Sequence, residues 1–106
     1  MDQATRDALD RLVEQIVEAA HPLRIILFGS AARGDAGPES DLDVLVVMPD
    51  GTPRREATHR LYRCVKGIGV PYDILATTPS FLERHSQNPG LVYQTILEEG
   101  KTVYGG

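Results

Sequence analysis

In 106 residues the sequence has one cysteine, Cys64, and three histidines, His21, His59 and His85. Cys64 lies among Leu61, Val65 and Ile68 at helical spacing, which reads as a buried structural thiol rather than a metal ligand or nucleophile. The histidines lack any metal-ligand spacing, and His59 belongs to a polar helix face. No apolar run is long enough to span a membrane, and the first residues form a polar helix rather than a signal sequence, so a cytoplasmic location is expected. Internal repeats, low-complexity segments and linkers are missing, and a content of 42% apolar and 25% charged residues suits one modest core. Residues 1–106 are therefore read as a single domain. Positive charge is also in deficit: 11 Lys and Arg against 15 Asp and Glu give a net charge of −4. That balance argues against broad, sequence-independent nucleic-acid binding, and nucleic acid is not expected as a direct ligand.

The periodicities alternate between helix and strand. Leu9, Leu12, Val13, Ile16, Val17 and Ala20 form one apolar stripe on a helix over 3–20. An apolar run over 23–28 reads as a strand, 41–47 and 71–76 as two more, and 101–104 as a short closing strand at the sheet edge. Thr52-Pro53 and Thr78-Pro79 each read as an N-cap with proline at the first helical position, starting helices near 53–66 and 79–86. Asn88-Pro89 does the same for a last helix through Glu99, ended by Gly100, with Glu98 and Glu99 solvating its end. If the helix near 52–66 is a crossover, strands 41–47 and 71–76 run parallel, with the first strand antiparallel to both. The expected class is α/β (α+β): a small mixed sheet with helices packed on it.

Two features of this frame carry chemistry. Gly29 follows the first strand and lets the chain turn where a side chain would crowd a ligand; Ser30 then caps a short helix through Arg33. Backbone N–H groups at such a helix start, with a serine hydroxyl, seat phosphate oxygens, and Arg33 can add a charge-assisted contact. After the loop 34–39, Asp41 and Asp43 sit two apart on the second strand, on one face, with Leu42, Val44 and Val46 on the other. Like charges about 4 Å apart repel by roughly 4 kcal/mol at an effective dielectric near 20, so such a pair calls for exposure, a proton or a cation. Mg²⁺ with carboxylate and phosphate ligands answers that need. Asp73, opening the third strand, is the best third acid.

The pattern of Gly29-Ser30, ten residues, Asp41-Leu42-Asp43 and then Asp73 resembles the nucleotidyltransferases of the DNA polymerase beta superfamily in their minimal form. The local form Ala32-Arg33-Gly34 before Ser40-Asp41 is similar to that group. The resemblance implies the nucleotidyltransferase fold, with Asp41, Asp43 and Asp73 as catalytic acids holding two Mg²⁺ ions and Gly29, Ser30 and Arg33 at the nucleotide triphosphate. It further implies an antitoxin that transfers AMP from ATP to a tyrosine of a HEPN-type toxin, in a homo- or hetero-oligomer. Larger relatives add a helical domain that helps form the acceptor pocket, and this chain is expected to present an open site instead. Two other classes are weighed beside it: a binding module that neutralises the toxin sterically, and a transferase acting on RNA or a small molecule. Arg54, Arg55, Arg60, Arg63 and Lys66 cluster on the helix after the acid-bearing strand; they read as a solvated face or a docking surface for an acidic partner or RNA.

Overall fold

The computed structural model describes residues 2–34, 41–86 and 92–105. In chain order the elements are α1 (Gln3–Ala20), β1 (Arg24–Phe28), α2 (Ser30–Arg33), β2 (Leu42–Val47), α3 (Arg54–Cys64), β3 (Tyr72–Thr77), α4 (Pro79–His85), α5 (Val92–Glu99) and β4 (Lys101–Gly105). The expected chain reversal over 34–39 lies outside the described residues beyond Gly34, as does the Asn88-Pro89 helix start. Among the described residues no helix is long and apolar enough to cross a membrane.

Local chemistry sets the helix ends. Asp2 caps α1 by accepting the Thr5 N–H at 2.8 Å, and the helix stops at left-handed His21, whose N–H bonds the Val17 carbonyl. Thr78 caps α4 as expected, with Pro79 at the first helical position. Asp50 adds a second cap there, accepting the Ser80 N–H at 2.9 Å and the Ser80 hydroxyl at 2.7 Å. Thr52 is not the cap of α3. Its hydroxyl donates to the Pro49 carbonyl at 2.7 Å within the preceding turn, and Pro53, which has no side-chain donor or acceptor, occupies the cap position.

The four strands form one sheet in the order β3-β2-β1-β4. β1 pairs antiparallel with both β2 and β4, while β2 and β3 pair in parallel, with α3 as the crossover between them. Both sheet faces are covered. On one, Leu9, Leu12 and Ile16 of α1 and Leu61 of α3 pack on Ile25, Leu27, Leu42, Val44, Val46 and Ile74. On the other, Leu82 of α4 and Tyr93 and Ile96 of α5 pack on Ile26, Leu45 and Val47. This double cover explains why β2 reads as an unbroken apolar run apart from Asp43.

The end of α3 departs from expectation, and Cys64 with it. The helix stops at Cys64 rather than continuing to 66, because α1 takes up the backbone groups that follow. Gln15 brackets Lys66, accepting its N–H and donating to its carbonyl at 2.8 Å each, and Arg11 donates to the Ile68 carbonyl at 2.6 Å. Val65 and Ile68 reach the core from an extended segment, so helical spacing no longer relates them to Cys64, which is exposed. Native protein is therefore expected to react with Ellman's reagent at the rate of a free surface thiol, without denaturant; protection that lifts only on unfolding would restore the buried reading.

Candidate active site

Strand register aligns Asp43 and Asp73 at one end of the sheet. Asp43 lies opposite Phe28 on β1 and opposite Asp73 on β3, so the last residue of β1 and both strand acids fall on one line across the sheet. Parallel neighbours at that position stand about 4.8 Å apart. Asp43 shares its face with Leu45 and Val47, and Asp73 with Leu75, placing both acids on the side covered by α4 and α5. Asp41 immediately precedes β2 and is exposed, while the adjacent Leu42 N–H bonds the Pro71 carbonyl at 3.0 Å, tying together the acid-bearing starts of β2 and β3.

Asp43 is the most constrained of the three. It is half-buried on a central strand between Leu42 and Val44, both 0% exposed. Desolvation raises its carboxyl above the ordinary carboxylate value, and the charges of Asp73 and Asp41 raise it further. A half-buried carboxylate on a central strand, shifted by burial and by two like charges, is a candidate functional acid.

Gly29 closes the site from the β1 side. Its φ of 75° and ψ of −157° suit glycine, and a Cβ there would land on Asp43 Oδ2. Gly29 itself is the N-cap of α2; Ser30, expected as the cap, is the first helical residue instead. The reason is steric: the positive-φ turn between β1 and α2 must fall on the residue that touches Asp43, which excludes any side chain. The first turn of α2 still directs N–H groups without intrahelical acceptors away from the helix, beside the acids. Arg33 lies at the far end of this short helix, and its Nη1 is 3.7 Å from Glu99 Oε2 of α5, both side chains largely exposed. Glu99, read as only solvating a helix end, thus faces a cation. An exposed pair of this kind contributes little to stability.

Tyr62, which sequence reasoning did not single out, stands beside the third acid. Its hydroxyl accepts the Ile74 N–H at 2.7 Å and lies 3.4 Å from Asp73 Oδ1. Burial raises the phenol above its ordinary value; the Asp73 charge adds to the rise and the Ile74 N–H opposes it. The only signal in the sequence was its place on the helical stripe Thr58, Leu61, Tyr62, Val65, which marks it as facing the sheet but not which acid it meets. Of the basic cluster, Arg54 is taken up in packing, its guanidinium 3.4 Å above the Phe81 ring, whereas Arg55, Arg60, Arg63 and Lys66 are exposed.

Among the described residues, no three His, Cys, Asp or Glu side chains are already gathered into a metal-binding cluster. Three like-charged carboxylates gain nothing by closing on one another without a cation. The donor set nevertheless fits a hard divalent ion: carboxylate oxygens from adjoining strand starts, one of them carrying the unfavourable desolvation that a cation would offset.

Comparison with known proteins shows the family and the fold. The family model of the nucleotidyltransferase domain matches residues 9–103. Over 112 aligned residues, and 99% of its length, the chain is 32% identical to a bifunctional uridylyltransferase/uridylyl-removing enzyme of Burkholderia thailandensis, of which it spans 12%. It is 40% identical over 52 residues to a protein of Methanocaldococcus jannaschii described as a protein adenylyltransferase, covering 49% of this chain and 52% of that one. Among solved structures, one described as a minimal nucleotidyltransferase superposes with a TM-score of 0.61 at 29% identity, covering 95% of each chain. A toxin–antitoxin structure with AMP-PNP superposes with a TM-score of 0.58 at 20% identity, covering 92% of this chain and 73% of that one.

Proposed function

Since this chain belongs to the nucleotidyltransferase domain family, we propose that it transfers AMP from ATP to a tyrosine hydroxyl of a HEPN-type toxin and acts as that toxin's antitoxin. The observation that carries the reading is the line of Gly29, Asp43 and Asp73 across one sheet edge, a side-chain-free approach facing two registered acids. The relative described as a protein adenylyltransferase supports a protein acceptor, and the toxin–antitoxin neighbour holding a nucleotide analogue supports the partner and the ligand.

Asp41, Asp43 and Asp73 would hold the divalent metal, Mg²⁺ and two ions by resemblance. When bound, it supplies charge neutralisation of the triphosphate and activation of the acceptor hydroxyl. The chain's own residues then have separate tasks. Gly29 lets the Asp43 carboxylate lie against the backbone, and the first turn of α2 with the Ser30 hydroxyl donates to the phosphate oxygens. Arg33, one turn on, is the cation that would add a charge-assisted contact to the same phosphates. Asp73, exposed at the start of an edge strand, is accessible to an acceptor and takes the proton from its hydroxyl. The oxygen attacks the α-phosphorus, the bond to the β-phosphate oxygen breaks, and pyrophosphate leaves.

The test is to incubate the chain with Mg²⁺, the helical protein encoded beside it and either labelled ATP or labelled UTP, and to map the products by mass spectrometry. AMP on a tyrosine of the partner is the expected result. UMP in its place would overturn the choice of nucleotide, label on RNA the choice of acceptor. No transfer, combined with full toxin neutralisation by Asp43→Asn, would replace the enzyme with a steric binding module.

A further inference from the structure

β3 is an edge strand, paired on one side with β2 and leaving the N–H groups of Ile74 and Ala76 pointing away from the sheet. Such edges are normally left to water or capped. Here α3 caps them with side chains: the Thr58 hydroxyl accepts the Ala76 N–H at 3.1 Å and the Tyr62 hydroxyl accepts the Ile74 N–H at 2.7 Å. The spacing matches because four residues of helix rise about 6 Å, close to the ~6.6 Å between alternate residues of a strand. The two caps differ in where their own protons go. Thr58 donates back to the Arg54 carbonyl at 2.9 Å, within its helix, whereas Tyr62 has Asp73 Oδ1 3.4 Å away. The Tyr62 ring is held in turn by Tyr72, the residue before Asp73, with centroids 6.0 Å apart and planes inclined by 18°.

We propose that Tyr62 is a positioning residue for Asp73: with its oxygen fixed by the Ile74 N–H, its hydroxyl proton is directed at the carboxylate and holds that side chain in one rotamer at the outer edge of β3. This rests on the reading of Asp73 as a functional acid. A phenol whose oxygen already accepts a backbone N–H has only its proton left to give, and the carboxylate is the acceptor within reach. The contact keeps an otherwise exposed acid on an edge strand oriented before any cation or substrate arrives, the kind of support that functional side chains need from a second set of residues.

Thr58→Val and Tyr62→Phe each remove one edge cap, but only Tyr62→Phe removes a donor to Asp73. The first readout needs neither metal nor nucleotide: the three-bond couplings of Asp73 Cγ to its backbone nitrogen and carbonyl carbon, measured by NMR. Wild type and Thr58→Val are expected to show a single χ1 rotamer, and Tyr62→Phe averaged couplings. Averaging in the wild type overturns the proposal without any variant, as does a single rotamer in Tyr62→Phe or equal averaging in Thr58→Val. The second readout is steady-state transfer. Tyr62→Phe should lower kcat about tenfold with the nucleotide KM unchanged, while Thr58→Val leaves both near wild type; parallel losses in the two variants would reduce Tyr62 to an edge cap. A wild type without transferase activity would refute the catalytic reading and leave the coupling measurement to decide the Tyr62 contact.

Discussion

Asp43→Asn is expected to cut nucleotidyl transfer by about a thousandfold or more while raising the melting temperature by a few degrees at pH 7. The two effects have one origin. Asp43 is half-buried on the central strand, with Asp73 beside it in the ladder and Asp41 just before it. Its carboxyl titrates above the ordinary value of 3.8 because desolvation and two like charges disfavour the ionised form. A folded-state pKa above the unfolded one means that the native state binds the proton more tightly, so stability falls as pH rises through that interval. Above the folded value the full penalty is present; below 3.8 it is gone. Asn carries no such penalty. The stability advantage of the variant should therefore be widest near neutrality and close as the pH is lowered, in melts followed by circular dichroism. Added Mg²⁺ should narrow the gap at pH 7 by stabilising wild type more than the variant, since only the carboxylate set gains a counter-ion. A variant less stable than wild type at pH 7 would show that the carboxylate is held by structural hydrogen bonds instead.

Gly29→Ala should lose both fold stability and activity. The position requires a φ of 75°, and an alanine methyl would collide with Asp43 Oδ2. Backbone strain of this kind costs about 2 kcal/mol, which in a chain of this size lowers the melting temperature by roughly 10 °C. Displacement of the Asp43 side chain should reduce transfer nearly as far as Asp43→Asn does. A double-mutant cycle separates the two contributions. In an Asp43→Ala background the collision is relieved and only the backbone strain remains, so Gly29→Ala should cost distinctly less there. Equal costs in both backgrounds would mean that the methyl never meets the carboxylate and that the glycine serves the turn alone.

The elements that the sequence predicted well are those whose signal is local. The α1 stripe follows from period 3.6, and Thr78-Pro79 caps and starts α4 through side-chain and backbone atoms within three residues. β2 was legible for the same reason, as an apolar run with one acid out of place. Elsewhere a distant partner decides. Thr52 looked like a cap equivalent to Thr78, but its hydroxyl turns back to Pro49. Cys64 looked buried until Gln15 and Arg11, some fifty residues away, end α3 and carry Val65 and Ile68 into the core by another route. Ser30 looked like the cap of α2, yet the close approach of β1 to β2 assigns that position to Gly29.

The candidate site divides in the same way. Gly29, Asp41, Asp43 and Asp73 could be named from residue type and spacing, because a turn that admits phosphate and acids that call for a cation are properties of short segments. Their convergence is a matter of register: Phe28 opposite Asp43 and Asp43 opposite Asp73 are pairings across the sheet, fixed by the burial of alternate residues on both its faces. Tyr62 belongs wholly to this second kind. Its hydroxyl meets Ile74 and Asp73 only because α3 packs along the edge of β3, and nothing within the helix itself encodes which strand group it will face. Chemistry confined to a few consecutive residues was written in the chain; contacts between segments were decided by how the sheet and its helices pack.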